Sequence, residues 1–437
     1  MTKNGYSVGL YTLGCKVSQY ETEAIAEAFE ADGFTRRDFG DECDVYVVNT
    51  CTVTSEAGRK CRQVIRRAIK ENPCAVVMVI GCHSQTDPED ILSIDGVSYV
   101  AGTENKMAVP KLALSLLSDR PSATVFRTSD LSVAEYEDMR VLTPPRTRAY
   151  VKIEDGCECK CTYCAIPQAR GRVRSRQPDS VIEELCYLAE RGVREAVLTG
   201  IEIASYGRDL GCVSLIELLE RIDALHLPLR IRLGSLTPEL LREEFVLRLS
   251  RLSCITPHFH VSLQSGCDRT LAAMKRRYNT DMVRRSLCRM RELIPRVTFT
   301  ADIIVGFPDE SEEDFCESCR FVEEAKFLDM HIFAYSRRKN TPAATYKNQI
   351  PEAVKRERSH RMHELQRRIT GEQLLHIVER GESLCVLFET NEDGVWCGHT
   401  DTYVEACCEF DGDLQAQIRE LIPTQVRDGR IFGKIKE

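Results

Sequence analysis

The feature that most restricts the fold of this chain is an alternation: short apolar runs, each followed by a helix-like stretch, recur along most of its length. Residues 8–13 lead into 18–32, 45–48 into 56–70, 76–80 into a loop and 88–92, and 97–101 into 109–117. Such alternation is the signature of βα units on a parallel sheet, because each strand needs a helix to cover its faces. Residues 1–119 are therefore expected to form a doubly wound parallel α/β domain. From 118 to 148 the periodicity gives way to Ser, Thr, Pro and charge, ending in Pro144-Pro145-Arg146-Thr147-Arg148, and 120–145 reads as a linker. The alternation resumes over 146–370, with strand candidates at 150–153, 196–199, 230–233, 259–263, 300–305 and 330–333. Six repeats suit a partial (β/α)6 barrel rather than a full eight-fold one. A long charged helix is expected over 351–368. From 371 to 437 short strand-like runs at 384–388, 403–406 and 414–418 alternate with Gly and Asp turns, which suits a small all-β barrel of the nucleic-acid-binding kind.

Composition then removes several classes. With 59 Lys+Arg against 67 Asp+Glu and 43% hydrophobic residues, the chain is neither disordered nor membrane-like. It has no uninterrupted apolar stretch of about 18 residues, and residues 1–13 lack the features of a signal peptide. A cytoplasmic protein with no membrane partner is expected. Its 21 cysteines then point to metal binding or catalysis instead of a disulfide framework. Most, including Cys186, Cys288, Cys316 and Cys319, fall in amphipathic helical patterns where a free Cys acts as a small hydrophobe.

Three cysteines of the first domain share one position: Cys15 follows the first apolar run, Cys51 the second and Cys82 the third. Loops after the strands of an open parallel sheet gather on one edge, so these thiols can converge. They can hold a [4Fe–4S] cluster with one iron lacking a protein ligand; buried small residues or a zinc site are the alternatives. The second domain opens with Asp155-Gly156-Cys157-Glu158-Cys159-Lys160-Cys161-Thr162-Tyr163-Cys164, in which Cys157, Cys161 and Cys164 have CxxxCxxC spacing. Three thiolates on a loop just after a first barrel strand suit a cluster whose fourth iron chelates a small molecule. A reduced Cys-rich loop, or a zinc knot that also uses Cys159, is the alternative.

This loop, followed by Ala165-Ile166-Pro167 and Ala169-Arg170-Gly171-Arg172-Val173-Arg174-Ser175-Arg176, resembles the radical-S-adenosylmethionine methylthiotransferases. Supporting segments extend the likeness over nearly the whole chain: Thr12-Leu13-Gly14-Cys15-Lys16, Val48-Asn49-Thr50-Cys51-Thr52-Val53, Leu198-Thr199-Gly200-Ile201, 258–266, 302–308 and Gly398-His399-Thr400. Within the family the chain is most similar to the threonylcarbamoyladenosine tRNA methylthiotransferases. The resemblance implies an N-terminal methylthiotransferase domain, a radical-SAM barrel and a C-terminal TRAM domain, with two [4Fe–4S] clusters and S-adenosyl-L-methionine as cofactors. Carried over, Cys157, Cys161 and Cys164 would hold the catalytic, radical-generating cluster, and Cys15, Cys51 and Cys82 the auxiliary one that serves sulfur delivery. One S-adenosylmethionine would supply the methyl group and another a 5′-deoxyadenosyl radical that takes hydrogen from C2 of a modified adenine beside the anticodon, so the hard chemistry belongs to the cofactors. Thr199, Gly200, Arg232, Gln264 and Asp302, at later strand ends, are candidate cofactor contacts, although such groups also cap and turn. The implied partners are tRNA, a low-potential electron donor and a sulfur donor. Two positions depart from the family pattern: Ser18 stands where Asn is usual, and Cys159 adds a fourth thiol to the loop.

Basic clusters at 170–176, 275–277, 337–339 and 355–368 are candidates for neutralising RNA phosphates, the last also reading as a solvated helix face. The tail complicates this: 371–437 holds 6 Lys+Arg and 14 Asp+Glu, net −8, while 1–370 holds 53 of each. An acidic barrel suits a basic partner, and a related branch of the family modifies an aspartate of a ribosomal protein. The N-terminal and barrel motifs resemble the tRNA branch more. Trp396 and Tyr403 are candidates for base stacking or for the core of the small barrel. A non-catalytic iron–sulfur RNA-binding or redox-sensing protein is the reading from another class.

Overall fold

The computed structural model describes residues 5–52, 55–119, 123–128, 130–211 and 213–436. The start of the segment read against a signal peptide, Val53 of the second cysteine motif, and 120–122 and 129 of the expected linker lie outside the described residues. The first domain is a parallel sheet of β1 (Ser7–Thr12), β2 (Thr35–Arg37), β3 (Val45–Thr50), β4 (Val76–Gly81), β5 (Tyr99–Ala101) and β6 (Val125–Arg127), in the order β2-β1-β3-β4-β5-β6. Its helices are α1 (Lys16–Ala31), α2 (Ser55–Glu71), α3 (Cys82–Thr86), α4 (Pro88–Leu92) and α5 (Val109–Ser118). Ile25 and Phe29 of α1 and Ala113 of α5 cover one face of the sheet through Val45, Val47 and Met78, while Ile65 of α2 and Ile91 of α4 cover the other through Val48, Val77 and Val79. The domain is thus doubly wound, and β3 and β4, buried at every position, are the near-continuous apolar runs such a sheet requires.

Two edge strands escaped the sequence pattern. β2 and β6 are three residues each, largely exposed, and read Thr-Arg-Arg and Val-Phe-Arg, so no apolar run marks them. β6 falls within the expected linker and extends the sheet to residue 127. The rest of that linker is strapped down: Tyr20 Oη donates to the Met139 carbonyl at 2.6 Å, and the Leu142 and Thr143 amides donate to Glu27.

The second domain comprises β7 (Arg148–Lys152), a small hairpin of β8 (Glu154–Asp155) and β9 (Arg174–Ser175), then β10 (Glu195–Thr199), β11 (Arg230–Leu233), β12 (His258–Gln264), β13 (Thr298–Val305) and β14 (Asp329–Ala334). The parallel sets β11-β10-β7 and β12-β13-β14 are joined by parallel bridges Ile231–Ile255 and Leu236–Val261. The six long strands therefore curve as one open sheet, each within two residues of its expected place. Around them lie α6 (Ile166–Arg170), α7 (Pro178–Glu190), α8 (Leu215–Asp223), α9 (Glu243–Leu249), α10 (Asp268–Ala273), α11 (Thr280–Leu293) and α12 (Glu312–Ala325). Leu185, Leu219, Val246, Leu287 and Val322 of these helices belong to one core with the strands.

The charged helix, α13 (Glu352–Arg380), runs well past its expected end and through Gly371, so the expected boundary at 370/371 falls inside a helix. A helical Gly costs about 1 kcal/mol; Leu374, Ile377 and Val378 offset this by packing on the C-terminal core. The helix stops at Gly381, whose φ of 64° is the left-handed end that favours glycine. β15 (Leu384–Glu392), β16 (Val395–Thr400), β17 (Glu405–Glu409), β18 (Ile418–Arg427) and β19 (Arg430–Ile435) then close a barrel in the order β15-β16-β17-β19-β18. Residues 414–417 are turn rather than strand, and Tyr403 has φ 69° in a turn. Cys397 and Cys407 face each other across β16 and β17, 4.2 Å apart at Cα, and form a disulfide that the expectation of reduced thiols did not include. Among the described residues no helix is long and apolar enough to cross a membrane.

Candidate active site

β1, β3 and β4 are neighbours, so Cys15, Cys51 and Cys82, just past their ends, share one edge of the sheet. Cys15 caps α1, Cys51 follows β3, and Cys82 opens α3. Gly81 precedes it with φ 104°, and a Cβ there would lie 2.5 Å from Asn49 Oδ1 and 2.7 Å from the Thr50 carbonyl, so no other residue fits the turn. Cys51 and Cys82 are buried and Cys15 is exposed. Ser18 keeps a contact with the first of them, its Oγ lying 3.8 Å from Cys15 Sγ.

The CxxxCxxC loop hangs from the β8–β9 hairpin. The Cys157 amide donates to the Gly171 carbonyl at 3.0 Å, closing the loop at its base. Each motif sulfur accepts a hydrogen bond: Cys157 from the Cys159 amide at 3.4 Å, Cys164 from the Ile166 amide at 3.4 Å, and Cys161 from Arg276 Nη1 at 3.1 Å. Donors on all three sulfurs stabilise thiolates, so this donor set fits an iron–sulfur cluster. Burial, only partly offset by the Ile166 amide, pushes Cys164 up to about 12, and burial likewise raises Cys161, so metal binding here must displace protons. Cys159 stays beside the motif: its sulfur, that of Cys157 and a Glu202 carboxylate oxygen lie within 4.8 Å of one another.

The arginines after the loop are not the phosphate-facing patch the sequence suggested. Arg170, Arg174 and Arg176 are buried. Arg170 Nη1 binds Glu21 at 2.5 Å and Asp155 at 3.0 Å, while its Nε donates to Cys82 Sγ at 3.2 Å. Lys106 and Lys152 also bind Glu21, Lys152 binds Asp155 at 2.6 Å, and Arg174 pairs with Glu104 at 3.1 Å. Arg176 binds Glu184, which accepts from Tyr20. These pairs lock α1 of the first domain to the root of the cysteine loop. Lys106, Lys152 and Arg170 bring three charges against two carboxylates, and Cys82 as a thiolate would be the third anion, so the surroundings of Cys82 suit a metal-bound thiolate. A run of arginines looks the same in sequence whether it faces solvent or carboxylates, and of the acids it meets Asp155 and Glu184 are near in the chain while Glu21 is 149 positions away from Arg170.

Of the expected cofactor contacts, Gln264 and Asp302 line one cavity of 230 Å³ together with Cys164, Tyr163, Thr52 and Arg338. Burial alone would raise the Asp302 carboxyl, but His260 at 3.2 Å and His331 at 3.1 Å hold it below the usual carboxylate range. Thr199 and Gly200 do not line that cavity. A Cβ at Gly200 would come 2.7 Å from Glu154 Oε2, which accepts from the Glu202 amide at 2.7 Å. Glu154 is fully buried, its Oε1 has no partner, and burial raises it well above an ordinary carboxyl. Burial, with Cys159 next, pushes Glu202 up to about 7. Sequence reasoning missed both acids, although Glu202 sits two residues after Gly200 beyond a strand end. Arg232 is not brought to either place: it binds Glu195 at 2.8 Å and donates to the Thr400 and Asp401 carbonyls at the opposite end of the barrel. There Tyr403 stacks on His258, with ring centroids 4.4 Å apart, and Trp396 is buried with its indole N–H on the Gly412 carbonyl. Both rings serve packing.

A cysteine-edged α/β domain locked onto a six-stranded partial barrel with a three-thiol loop defines a radical S-adenosylmethionine enzyme with an accessory domain. Residues 151–322 match the Radical SAM superfamily and 7–102 the Uncharacterized protein family UPF0004. The chain is 38% identical to the threonylcarbamoyladenosine tRNA methylthiotransferase MtaB of Bacillus subtilis, over 94% of this chain and 92% of that protein. It is 34% identical to the tRNA-2-methylthio-N(6)-dimethylallyladenosine synthase of Dictyoglomus thermophilum, over 98% of each. Among solved structures, the radical S-adenosylmethionine methyltransferase TsrM from Kitasatospora setae shares the fold, with a TM-score of 0.59 at 17% identity over 78% of this chain and 75% of that one. The chain belongs to the radical-SAM methylthiotransferase family, whose cofactors include S-adenosylmethionine and a [4Fe–4S] cluster.

Proposed function

We propose that the protein attaches a methylthio group to C2 of N6-threonylcarbamoyladenosine beside the anticodon of tRNA, with Cys157, Cys161 and Cys164 holding one [4Fe–4S] cluster and Cys15, Cys51 and Cys82 a second. The observation that carries this is the shared cavity: Thr52, the neighbour of Cys51, and Cys164 line the same space, so one bound base could meet both sets of thiols. Once bound, the clusters and S-adenosylmethionine supply hydrogen abstraction, sulfur and the methyl group. The protein's own groups bind and orient. Glu202, as carboxylate, is placed to accept from an ammonium group beside the loop, while Gln264 and Asp302 offer polar groups inside a half-enclosed, largely apolar cavity. Arg170 and Arg276 keep sulfurs supplied with donors.

The tRNA substrate is supported by the names of the relatives and by charge. With Arg170, Arg174 and Arg176 withdrawn into the interior, the exposed cations include Arg172, and Lys60, Arg66 and Lys70 on α2, which begins just after Cys51. The acidity of the C-terminal barrel is partly spent inside the molecule, on Glu389–Arg148 at 2.5 Å and Asp401–Arg296 at 2.9 Å, which weakens the case for a basic protein partner. The domain limits that fit these contacts are 7–127, 148–351 and 384–436, with α13 as the bridge. A low-potential electron donor, a sulfur donor and a cytoplasmic setting complete the reading. Mass spectrometry of nucleosides from tRNA incubated with the anaerobically reconstituted, reduced enzyme, sulfide and S-adenosylmethionine tests it. The methylthio nucleoside is expected; deoxyadenosine without it would move the substrate assignment to another acceptor, the ribosomal protein first.

A further inference from the structure

Arg338, on the segment after β14, sits where the N-terminal sheet edge meets the cysteine loop. Its Nη2 donates to the Thr52 carbonyl, and the side chain lines the cavity shared with Cys164, Gln264 and Asp302. Its Nε is buried without a hydrogen-bond partner, and among the described residues no carboxylate pairs with it. The fully buried arginines differ: Arg170, Arg174, Arg176, Arg232 and Arg358 each hold a carboxylate. The adjacent Lys339 is likewise paired, with Asp87 at 3.0 Å. Asp302 shares the cavity, but His260 and His331 already occupy its two oxygens. Burial lowers Arg338 from the ordinary arginine value and the neighbouring Cys51 thiol offsets only part of this, so no carboxylate supplies the neutralisation that the fully buried arginines have. A guanidinium stays charged nonetheless, and its planar fork suits oxyanions.

We infer that Arg338 seats an oxyanion of the substrate nucleotide, either the threonyl carboxylate on N6 or the phosphodiester beside the base. The inference rests on the function proposed above. Isolated charge in a half-enclosed apolar site is unfavourable until neutralised, so a nucleotide presenting an oxyanion there is favoured over one that cannot. The hydrogen bond to Thr52 fixes the guanidinium next to Cys51, and thereby fixes where the base attached to that anion sits relative to the sulfur-bearing edge.

The test is binding of the full-length, reconstituted enzyme to a synthetic anticodon stem-loop carrying threonylcarbamoyladenosine, and to the same RNA with its carboxylate methyl-esterified. Wild type, R338Q and R338K are compared, with iron content measured on each; if R338Q fails to load iron, R338K carries the comparison, since it keeps the charge and loses the fork. R338Q is expected to weaken binding of the free-acid RNA about tenfold or more, with partial recovery in R338K. If the carboxylate is the anion, wild type and R338Q bind the ester equally. If it is the phosphodiester, R338Q loses the same factor on both RNAs and the salt dependence falls by about 0.7 of a logarithmic unit per unit. Unchanged affinity for both RNAs, or a loss confined to S-adenosylmethionine, overturns the inference. Failure of wild type to make the methylthio product from the free-acid RNA would instead sink the functional reading, and this inference with it.

Discussion

Replacing Arg170 by Met tests the lock between the first domain and the cysteine loop. Arg170 binds Glu21 through Nη1 at 2.5 Å and through Nη2 at 3.1 Å, Asp155 at 3.0 Å, and Cys82 Sγ through Nε at 3.2 Å, all out of contact with water. Breaking a buried ion pair from one side costs about 3–5 kcal/mol. The upper end is not expected, because Lys106 and Lys152 remain to neutralise the two carboxylates. We expect R170M to lose about 3 kcal/mol of resistance to urea, and R170K, which keeps the charge but not the three-way fork, about half that, close to one or two charge-assisted hydrogen bonds. Iron content is the second readout. Removing the donor and positive charge at Cys82 favours its protonated form, so R170M should load about half the iron of wild type under limiting sulfide, whereas a purely structural arginine would lower iron at both sites together. An R170M protein with the urea midpoint and iron content of wild type would refute the assignment of this network.

The same network sets acid sensitivity. Burial alone would raise Glu21 and Asp155, but Arg170 and the neighbouring lysines hold both below ordinary carboxylates. Their contribution is complete above the unfolded values of about 4 and is lost as pH falls through the lower folded ones; the difference in urea midpoint between wild type and R170M should stay level from about pH 7 to 5 and shrink below about pH 4, and a constant difference to lower pH would contradict this. Glu202, pushed up to about 7, accepts from an ammonium only as carboxylate, so S-adenosylmethionine affinity should fall as pH drops through that value and E202Q should flatten the dependence in calorimetric titration. Cys51→Ala should abolish methylthio product while deoxyadenosine formation persists; unaffected product would remove the second cluster from the proposal. Charge reversal of Lys60, Arg66 and Lys70 should weaken tRNA binding and reduce its salt slope by about 0.7 for each phosphate no longer neutralised, measured by filter binding against a salt series.

Much of the architecture was legible because it depends on local pattern. Apolar runs as long as β3 and β4, buried on both faces, are read directly from composition, and all six long barrel strands fell near their expected places. The placement of Cys15, Cys51 and Cys82 on one edge of the sheet was legible for a topological reason, since the ends of neighbouring parallel strands lie on one side. Edge strands β2 and β6 were not legible, since three residues with no sustained apolar run become a strand only by pairing with a neighbour. Nor was the extent of α13, where a central glycine is outweighed by packing of Leu374 on the C-terminal barrel. By itself, then, the sequence determined the long strands, the helices that cover them and the sheet edge on which Cys15, Cys51 and Cys82 lie. Tertiary structure alone decided the charges: Arg170 went to Glu21 across 149 positions, Arg232 to the base of the barrel, and Arg338 was left facing the cavity. A guanidinium carries no periodicity, and whether it meets a carboxylate, a carbonyl or a ligand depends on partners that only the folded chain brings within reach.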